Sequence, residues 1–316
     1  MKKLLITGSS GFVGSHFIGK YSSKYDIKTF SFRKDDLSTL DCSNIDVVFH
    51  LSALVHQMAG ASVSEYERVN VAQTLELAKK SKKSGVKHFV FMSTVKVYGE
   101  ETTSVYTENS ECKAEDEYGK SKLKAERELL KLEDENFKVS IIRTPIVYGY
   151  GVKANIKSLV NLVNKVPILP FGKIVNKRSM VYIGNLCHLV DEVIGTTEVA
   201  LPKGDYLGCT ALAVPDEVKC TAKTALPSVF LACDDEPLST SRLCELIAKS
   251  LNKKVYLIKV PFFESLLKRL KPSFHKRLCG SLEVDNSITK ERLNLSNPYS
   301  VEEGIRFMIK GENSHE

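Results

Sequence analysis

A short apolar strand running straight into glycines spaced by threes sets the tightest limit on this fold. Lys3-Leu4-Leu5-Ile6 reads as a buried opening strand, and Gly8, Gly11 and Gly14 follow where a helix should begin. Glycine at those points lets the turn tighten, lets a pyrophosphate approach bare backbone, and lets the helix pack close to a sheet. The helix N-terminus then offers free N–H groups and a positive dipole end to phosphate oxygens. Such a segment opens a parallel, doubly wound α/β fold.

The chain beyond it keeps that rhythm. Apolar runs at 27–32, 47–51, 89–93 and 139–143 alternate with helical patterns, which argues for a parallel sheet with crossover helices. The all-apolar run Val47-Val48-Phe49 suits a strand covered on both faces. A helix is expected over 63–84, burying Val71, Leu75, Leu77 and Ala78, with Gly85 as its C-terminal cap. After Gly149-Tyr150-Gly151 the alternation breaks down, and Pro167, Pro170 and Gly172 punctuate the chain.

A second and a third feature complete a constellation. The strand at 89–93 ends in Ser93-Thr94, and the next helical stretch opens with Tyr118-x-x-x-Lys122. Of the 12 tyrosines, Tyr118 alone is followed by lysine four residues on. That spacing puts both side chains on one helix face.

These residues identify a resemblance. The chain resembles the extended short-chain dehydrogenase/reductases of the nucleotide-sugar epimerase/dehydratase family. The likeness is carried by His50-Leu51-Ser52-Ala53, Asn70-Val71, Ser93 through Gly99, Tyr118 through Lys122, Arg143-Thr144-Pro145 through Gly149, Asn176 through Tyr182, and Val301-Glu302-Glu303-Gly304. It is dense from residue 3 to about 195 and resumes from about 229 to 307.

The resemblance implies a Rossmann-type dinucleotide-binding domain over 1–149, rejoined by parts of 179–195 and 229–245. A smaller substrate-binding domain would come mainly from 150–316, with an insertion at about 199–228. The implied cofactor is NAD or NADP, held by Gly8, Gly11, Phe12, Val13 and Gly14, by Leu51, Ser52 and Ala53, and by Tyr118 and Lys122. The acid that reads the adenosine ribose in NAD-preferring relatives is missing directly after the second strand, which ends Phe32-Arg33-Lys34. Arg33 is positioned to receive a 2′-phosphate, so the dinucleotide stays open between the two.

The implied chemistry is oxidation or reduction at C4 of a UDP-linked hexose or N-acetylhexosamine. Tyr118 is the acid/base and Thr94 aligns the C4 oxygen, with Ser93 the lesser contact. Lys122 is expected to lower the tyrosine pKa and to bond the nicotinamide ribose. Arg178, Asn155 and Arg277 are the residues expected to hold the diphosphate end of the substrate. A packing role is expected for His50, and His56 is a weaker acid/base candidate. The related 4,6-dehydratases carry Asp-Glu after the catalytic threonine. Val95-Lys96 stand there instead, which disfavours dehydration.

Two reactions remain: a UDP-sugar 4-epimerase of polysaccharide biosynthesis, which leads, and a 4-reductase acting on a UDP-4-keto-6-deoxy sugar. A lipid diphosphate in place of UDP is also compatible with Arg178. A non-catalytic dinucleotide-binding protein would have no use for the intact threonine, tyrosine and lysine. The family's usual state is a homodimer, here through helices over 63–84 and 123–132.

Composition adds limits. The chain has 316 residues, a net charge of +7 and 43% hydrophobic residues, the profile of a folded globular protein with scattered charge. Nothing in it points to nucleic acid. The basic stretch from Lys268 to Arg277 reads as a solvated face. The opening apolar run stops at Thr7-Gly8, too short for a signal segment, and no run is long enough to span a bilayer, so a cytoplasmic location is expected. The eight cysteines lack metal-ligand spacing, so reduced thiols and no metal are expected.

Overall fold

A computed structural model describes residues 1–55, 61–102, 104–172, 174–196 and 228–311. The expected insertion at 199–228, with Cys209 and Cys220, falls almost entirely outside the described residues, as does His56.

The first half builds β1 (Lys3–Thr7), α1 (Phe12–Tyr21), β2 (Asp26–Phe30), β3 (Val47–His50), α2 (Val63–Tyr66), α3 (Gln73–Lys83), β4 (His88–Thr94), β5 (Val105–Tyr106), α4 (Glu117–Leu130) and β6 (Lys138–Thr144). Next come β7 (Ile146–Tyr148), α5 (Ala154–Lys165), β8 (Ile168–Leu169), β9 (Met180–Tyr182), α6 (Ile183–Gly195), β10 (Val229–Leu231) and α7 (Thr240–Ser250). The chain closes with β11 (Tyr256–Leu257), α8 (Phe263–Leu270), α9 (Pro272–Cys279), β12 (Glu283–Val284), α10 (Ser287–Leu293) and α11 (Val301–Lys310).

Six strands form one parallel sheet in the order β10-β6-β4-β3-β1-β2. The winding reverses between β1 and β3, and a crevice opens outside the carboxyl ends of strands at such a point. The expected Rossmann-type architecture is therefore present. Strand alternation divides the core between the two faces of the sheet. Leu4, Ile6, Phe49, Val90 and Ile142 pack with Phe17 of α1 and with α6. Leu5, Val48, Phe89, Phe91 and Ile141 pack with Leu77 and Ala78 of α3 and Ala125 and Leu129 of α4. Truncating one of these phenylalanines to alanine costs about 3–5 kcal/mol.

The predicted helix over 63–84 forms with one interruption. Residues Glu67–Ala72 adopt a π-turn between α2 and α3. Such a bulge redirects side chains in mid-helix, and Asn70 lies within it. The cap at Gly85 is as expected: its φ is +85°, and Val86 N–H donates to the Ser81 carbonyl at 3.1 Å. A left-handed residue followed by that bond closes the helix end.

Outside the central sheet the strands form short pairs, β7 with β9, β8 with β11 and β5 with β12. Asp234 ties this region together. Its buried carboxylate accepts from Tyr148 Oη at 2.7 Å, Asn185 Nδ2 at 2.8 Å and Tyr182 N–H at 3.0 Å. None of the helices in the described residues is long and apolar enough to cross a membrane.

Candidate active site

The glycine loop follows β1 at the switch point. Gly8 has φ +70°, and a Cβ there would meet Ser52 N at 2.9 Å. A Cβ on Gly14 would strike the Gly8 carbonyl oxygen at 2.6 Å and Ser9 Cα at 2.8 Å. Both contacts are with backbone, which cannot swing aside. Gly11 caps α1 with no side-chain hydrogen bond, and the first turn carries no acid. The N–H groups at Phe12 and Val13 are thereby left for an outside acceptor. A pyrophosphate fits this cradle because backbone, not side chain, forms its floor.

Thr7 fastens the neighbouring loop to it. Its Oγ1 accepts from Leu51 and Ser52 N–H, each at 3.2 Å, and lies 2.7 Å from His50 Nδ1. On the far side of the ring, His50 Nε2 is 3.0 Å from Thr74 Oγ1, which itself donates to the Asn70 carbonyl at 2.9 Å. With that hydroxyl proton committed, Thr74 must accept from the imidazole, so Nε2 carries the proton and Nδ1 accepts from Thr7. Burial holds the His50 pKa down at about 3. Histidine is thus a neutral brace here, matching the packing role expected for it.

Thr94 ends β4, 7% exposed, with its Oγ1 accepting from Lys96 N–H at 3.3 Å. Ser93 is oriented differently. Its hydroxyl donates to Glu126, which Arg143 clasps from the other side. The lesser role expected for Ser93 follows from that commitment.

Helix α4 carries Tyr118 in its first turn. Asp116 caps the helix by accepting from Gly119 N–H at 2.7 Å. A Cβ on Gly119 would lie 2.9 Å from the Lys96 carbonyl. Glycine there lets the helix press against the turn that follows Thr94, bringing Tyr118 toward the end of β4. The Tyr118 hydroxyl makes no hydrogen bond among the described residues, and its ring lies 6.4 Å from that of Tyr66.

The charge state differs from expectation. Burial, then the Asp116 carboxylate and Tyr66, push the Tyr118 pKa above its ordinary value. Lys122, 2% exposed, sits with Nζ 4.1 Å from the centre of the Phe91 ring. Burial pulls its pKa down to about 7, against the opposing pull of Glu126. Sequence spacing suggests that Lys122 acidifies Tyr118. In the folded chain desolvation dominates and drives both groups toward their neutral forms.

Asn70 was not assigned a role from sequence. It is fully buried, with Oδ1 accepting from Leu54 N–H at 2.8 Å and Nδ2 donating to the Leu54 carbonyl at 3.0 Å and to Ser121 Oγ at 3.0 Å. One amide thus ties the loop after β3 to α4 between Tyr118 and Lys122. An asparagine among apolar helix positions was the available signal, but only the π-turn aims it.

The remaining candidates are more peripheral. Arg33 is exposed after β2. The chain then curls so that the Asp35 carboxylate accepts from Ser31 N–H at 2.8 Å. An acid therefore does return to the end of the second strand, which position in sequence does not reveal. Arg178 is half-buried and donates to the Gly280 carbonyl at 2.9 Å and the Lys276 carbonyl at 3.2 Å, both at the C-terminal end of α9. Asn155 is exposed in the first turn of α5. Arg277 is exposed on α9, its Nε donating to Ser273. The six cysteines in the described residues are free thiols.

Known proteins resemble this chain in sequence and in fold. The family model described as "NAD dependent epimerase/dehydratase family" matches residues 4–207. A UDP-glucose 4-epimerase of Vibrio cholerae is 36% identical, covering 96% of this chain and 94% of its own. An N-acetyl-α-D-glucosaminyl-diphospho-ditrans,octacis-undecaprenol 4-epimerase of Escherichia coli O157:H7 is 25% identical, covering 82% of this chain and 75% of its own. Among solved structures, the UDP-glucuronic acid 4-epimerase of Bacillus cereus in complex with NAD superposes with a TM-score of 0.70 at 19% identity, covering 98% of each chain. The UDP-N-acetylglucosamine 4-epimerase of Bacillus cereus gives 0.72 at 17%, again over 98% of each. By the family match and by the Vibrio relative, this chain belongs to the NAD-dependent epimerase/dehydratase family.

Proposed function

We propose that the protein is an NAD-dependent 4-epimerase of a UDP-linked hexose or N-acetylhexosamine. The observation that supports it best is the placing of Tyr118, Lys122 and Thr94 around the carboxyl end of β4, next to a glycine cradle for the dinucleotide. The Vibrio relative, similar over nearly its whole length, adds the substrate class.

The cradle residues Gly8, Gly11, Phe12, Val13 and Gly14 hold the pyrophosphate, and Leu51 to Ala53 line its flank. The bound dinucleotide supplies a reversible two-electron oxidant. Tyr118 takes the proton from the C4 hydroxyl as that carbon is oxidised and returns it when the carbon is reduced on its other face. Thr94 holds the C4 oxygen by a hydrogen bond. Lys122, once its ammonium meets ribose hydroxyls, stabilises the phenolate that burial alone disfavours. Arg178 has a guanidinium nitrogen left beyond its carbonyl contacts, and with Asn155 and Arg277 it serves the diphosphate.

The same reading makes the protein a cytoplasmic homodimer of polysaccharide biosynthesis, paired through α3 and α4, which pack side by side. Light scattering tests the pairing, and a monomer mass refutes it.

Purified protein assayed for retained dinucleotide, then incubated with UDP-N-acetylglucosamine or UDP-glucose without added cofactor, tests the reaction. Retained NAD and a C4 epimer seen by NMR support it. Consumption of NADPH with a UDP-4-keto-6-deoxy sugar, and no epimer, replaces it with a 4-reductase.

A further inference from the structure

The segment from Lys253 to Arg277 combines two properties that a surface rarely combines without a partner. Eight lysines and arginines stand in it against one acid, Glu264. Four of its large apolar side chains face outward: Phe262 is 85% exposed, Leu270 69%, Leu266 57% and Phe274 48%. No residue of α8 is buried. Leu266 and Leu270 sit one turn apart on one stripe of that helix, with Arg269 beside it.

The patch is held from behind. Phe263 meets Phe171 at 6.2 Å between ring centres. Lys276 bridges Glu100 and Glu115, and Arg178 bonds the carbonyls at the end of α9. Lys259, Lys268, Arg269 and Lys271 form no ion pair among the described residues. The segment is therefore anchored from behind and leaves exposed leucine and phenylalanine in company with cations that form no ion pair among the described residues.

We infer that α8, α9 and the Phe262 turn before them dock on the surface of an anionic lipid bilayer. Leucine and phenylalanine flanked by unpaired lysine and arginine suit the boundary between headgroups and acyl chains. A second copy of the chain fits poorly. A two-fold contact would set each cationic patch against itself, and lysine is depleted from protein interfaces. This inference stands independently of the reaction proposed above.

The test is co-sedimentation of the full chain with vesicles of phosphatidylglycerol and phosphatidylcholine, against phosphatidylcholine alone. Binding is expected to the anionic vesicles and to weaken with salt. The Phe262→Ser and Leu266→Ser variants should abolish it. Arg269→Ala combined with Lys271→Ala should weaken it roughly 25-fold, at about fivefold per charge. All four positions are exposed, so the thermal midpoint and turnover of a water-soluble nucleotide sugar should be unchanged and serve as folding controls. No binding to anionic vesicles overturns the inference, as does equal binding by all variants. A mass in light scattering that falls in the Phe262 and Leu266 variants also overturns it, and assigns the face to a second copy.

Discussion

Arg143 grips the Glu126 carboxylate with two nitrogens, Nη2 at 2.6 Å and Nε at 3.2 Å from both oxygens, in the interior directly beneath the active-site strand end. Glu126 is 1% exposed and Arg143 5%. Glu126 also takes the Ser93 hydroxyl and lies one helical turn after Lys122. The pair therefore links β4, β6 and α4 at the level of the catalytic residues.

Removing one member leaves the other charged in the interior. Glu126→Ala should lower stability by about 3–5 kcal/mol, read by urea denaturation. The double variant Glu126→Leu with Arg143→Met removes both charges and should recover much of that loss. A double variant as unstable as the single one would refute the pairing argument.

Tyr118→Phe removes the hydroxyl proposed to carry the proton and leaves the ring and its contacts intact. The kcat should fall by about 10²–10⁴-fold with dinucleotide retention unchanged. A variant retaining near-normal kcat would move the acid/base role elsewhere.

Lys122 gives the cofactor-free protein a distinctive pH response. Its pKa is about 7 folded against roughly 10.4 unfolded. Between these values the unfolded chain holds more protons, so stability should rise from pH 7 toward pH 9. Denaturation curves at both pH values measure this, and Lys122→Met should flatten the rise.

His50 and His88 act in the acid range. Both are buried, and burial holds both pKa values down at about 3. The unfolded chain takes up these protons from about pH 6.5 downward, so stability is lost as pH falls from there toward 3. His88 bonds Ser140 Oγ at 2.8 Å, away from the cofactor loop. A His88→Gln variant should therefore lose part of this acid sensitivity while keeping its turnover. Unfolding midpoints at pH 7 and pH 5 provide the comparison.

Asn70→Ala strands the Leu54 backbone groups and the Ser121 hydroxyl. A stability loss of about 1–3 kcal/mol is expected. A drop in kcat larger than the rise in KM should accompany it, because the amide positions α4 rather than touching substrate. An unchanged kcat in a folded variant would reduce Asn70 to a packing role.

Gly14→Ala brings a methyl group onto the Gly8 carbonyl and Ser9 Cα. The protein should still fold, since the clash falls in the turn beyond the carboxyl end of β1, but purified enzyme should lose its dinucleotide, read as a fall in absorbance at 260 nm from about one adenine per chain.

The sequence by itself determined the parallel sheet and the glycine turn, and it singled out the candidate reacting residues. Those features are local: a strand's apolar run, glycines at fixed spacing, and a tyrosine and lysine one turn apart. Tertiary structure decided what depends on distant segments meeting. The sixth strand, Val229–Leu231, pairs with β6 from far along the chain. Asn70 becomes an active-site brace only because a π-turn aims it at Ser121, and Asp35 returns to the second strand only because the chain curls. The charge states of Tyr118 and Lys122 were likewise hidden in the sequence. Spacing predicts an ion-assisted phenol, but the burial that opposes it is contributed by α2, β4 and the π-turn together, and desolvation is a property of the assembled interior rather than of any one segment.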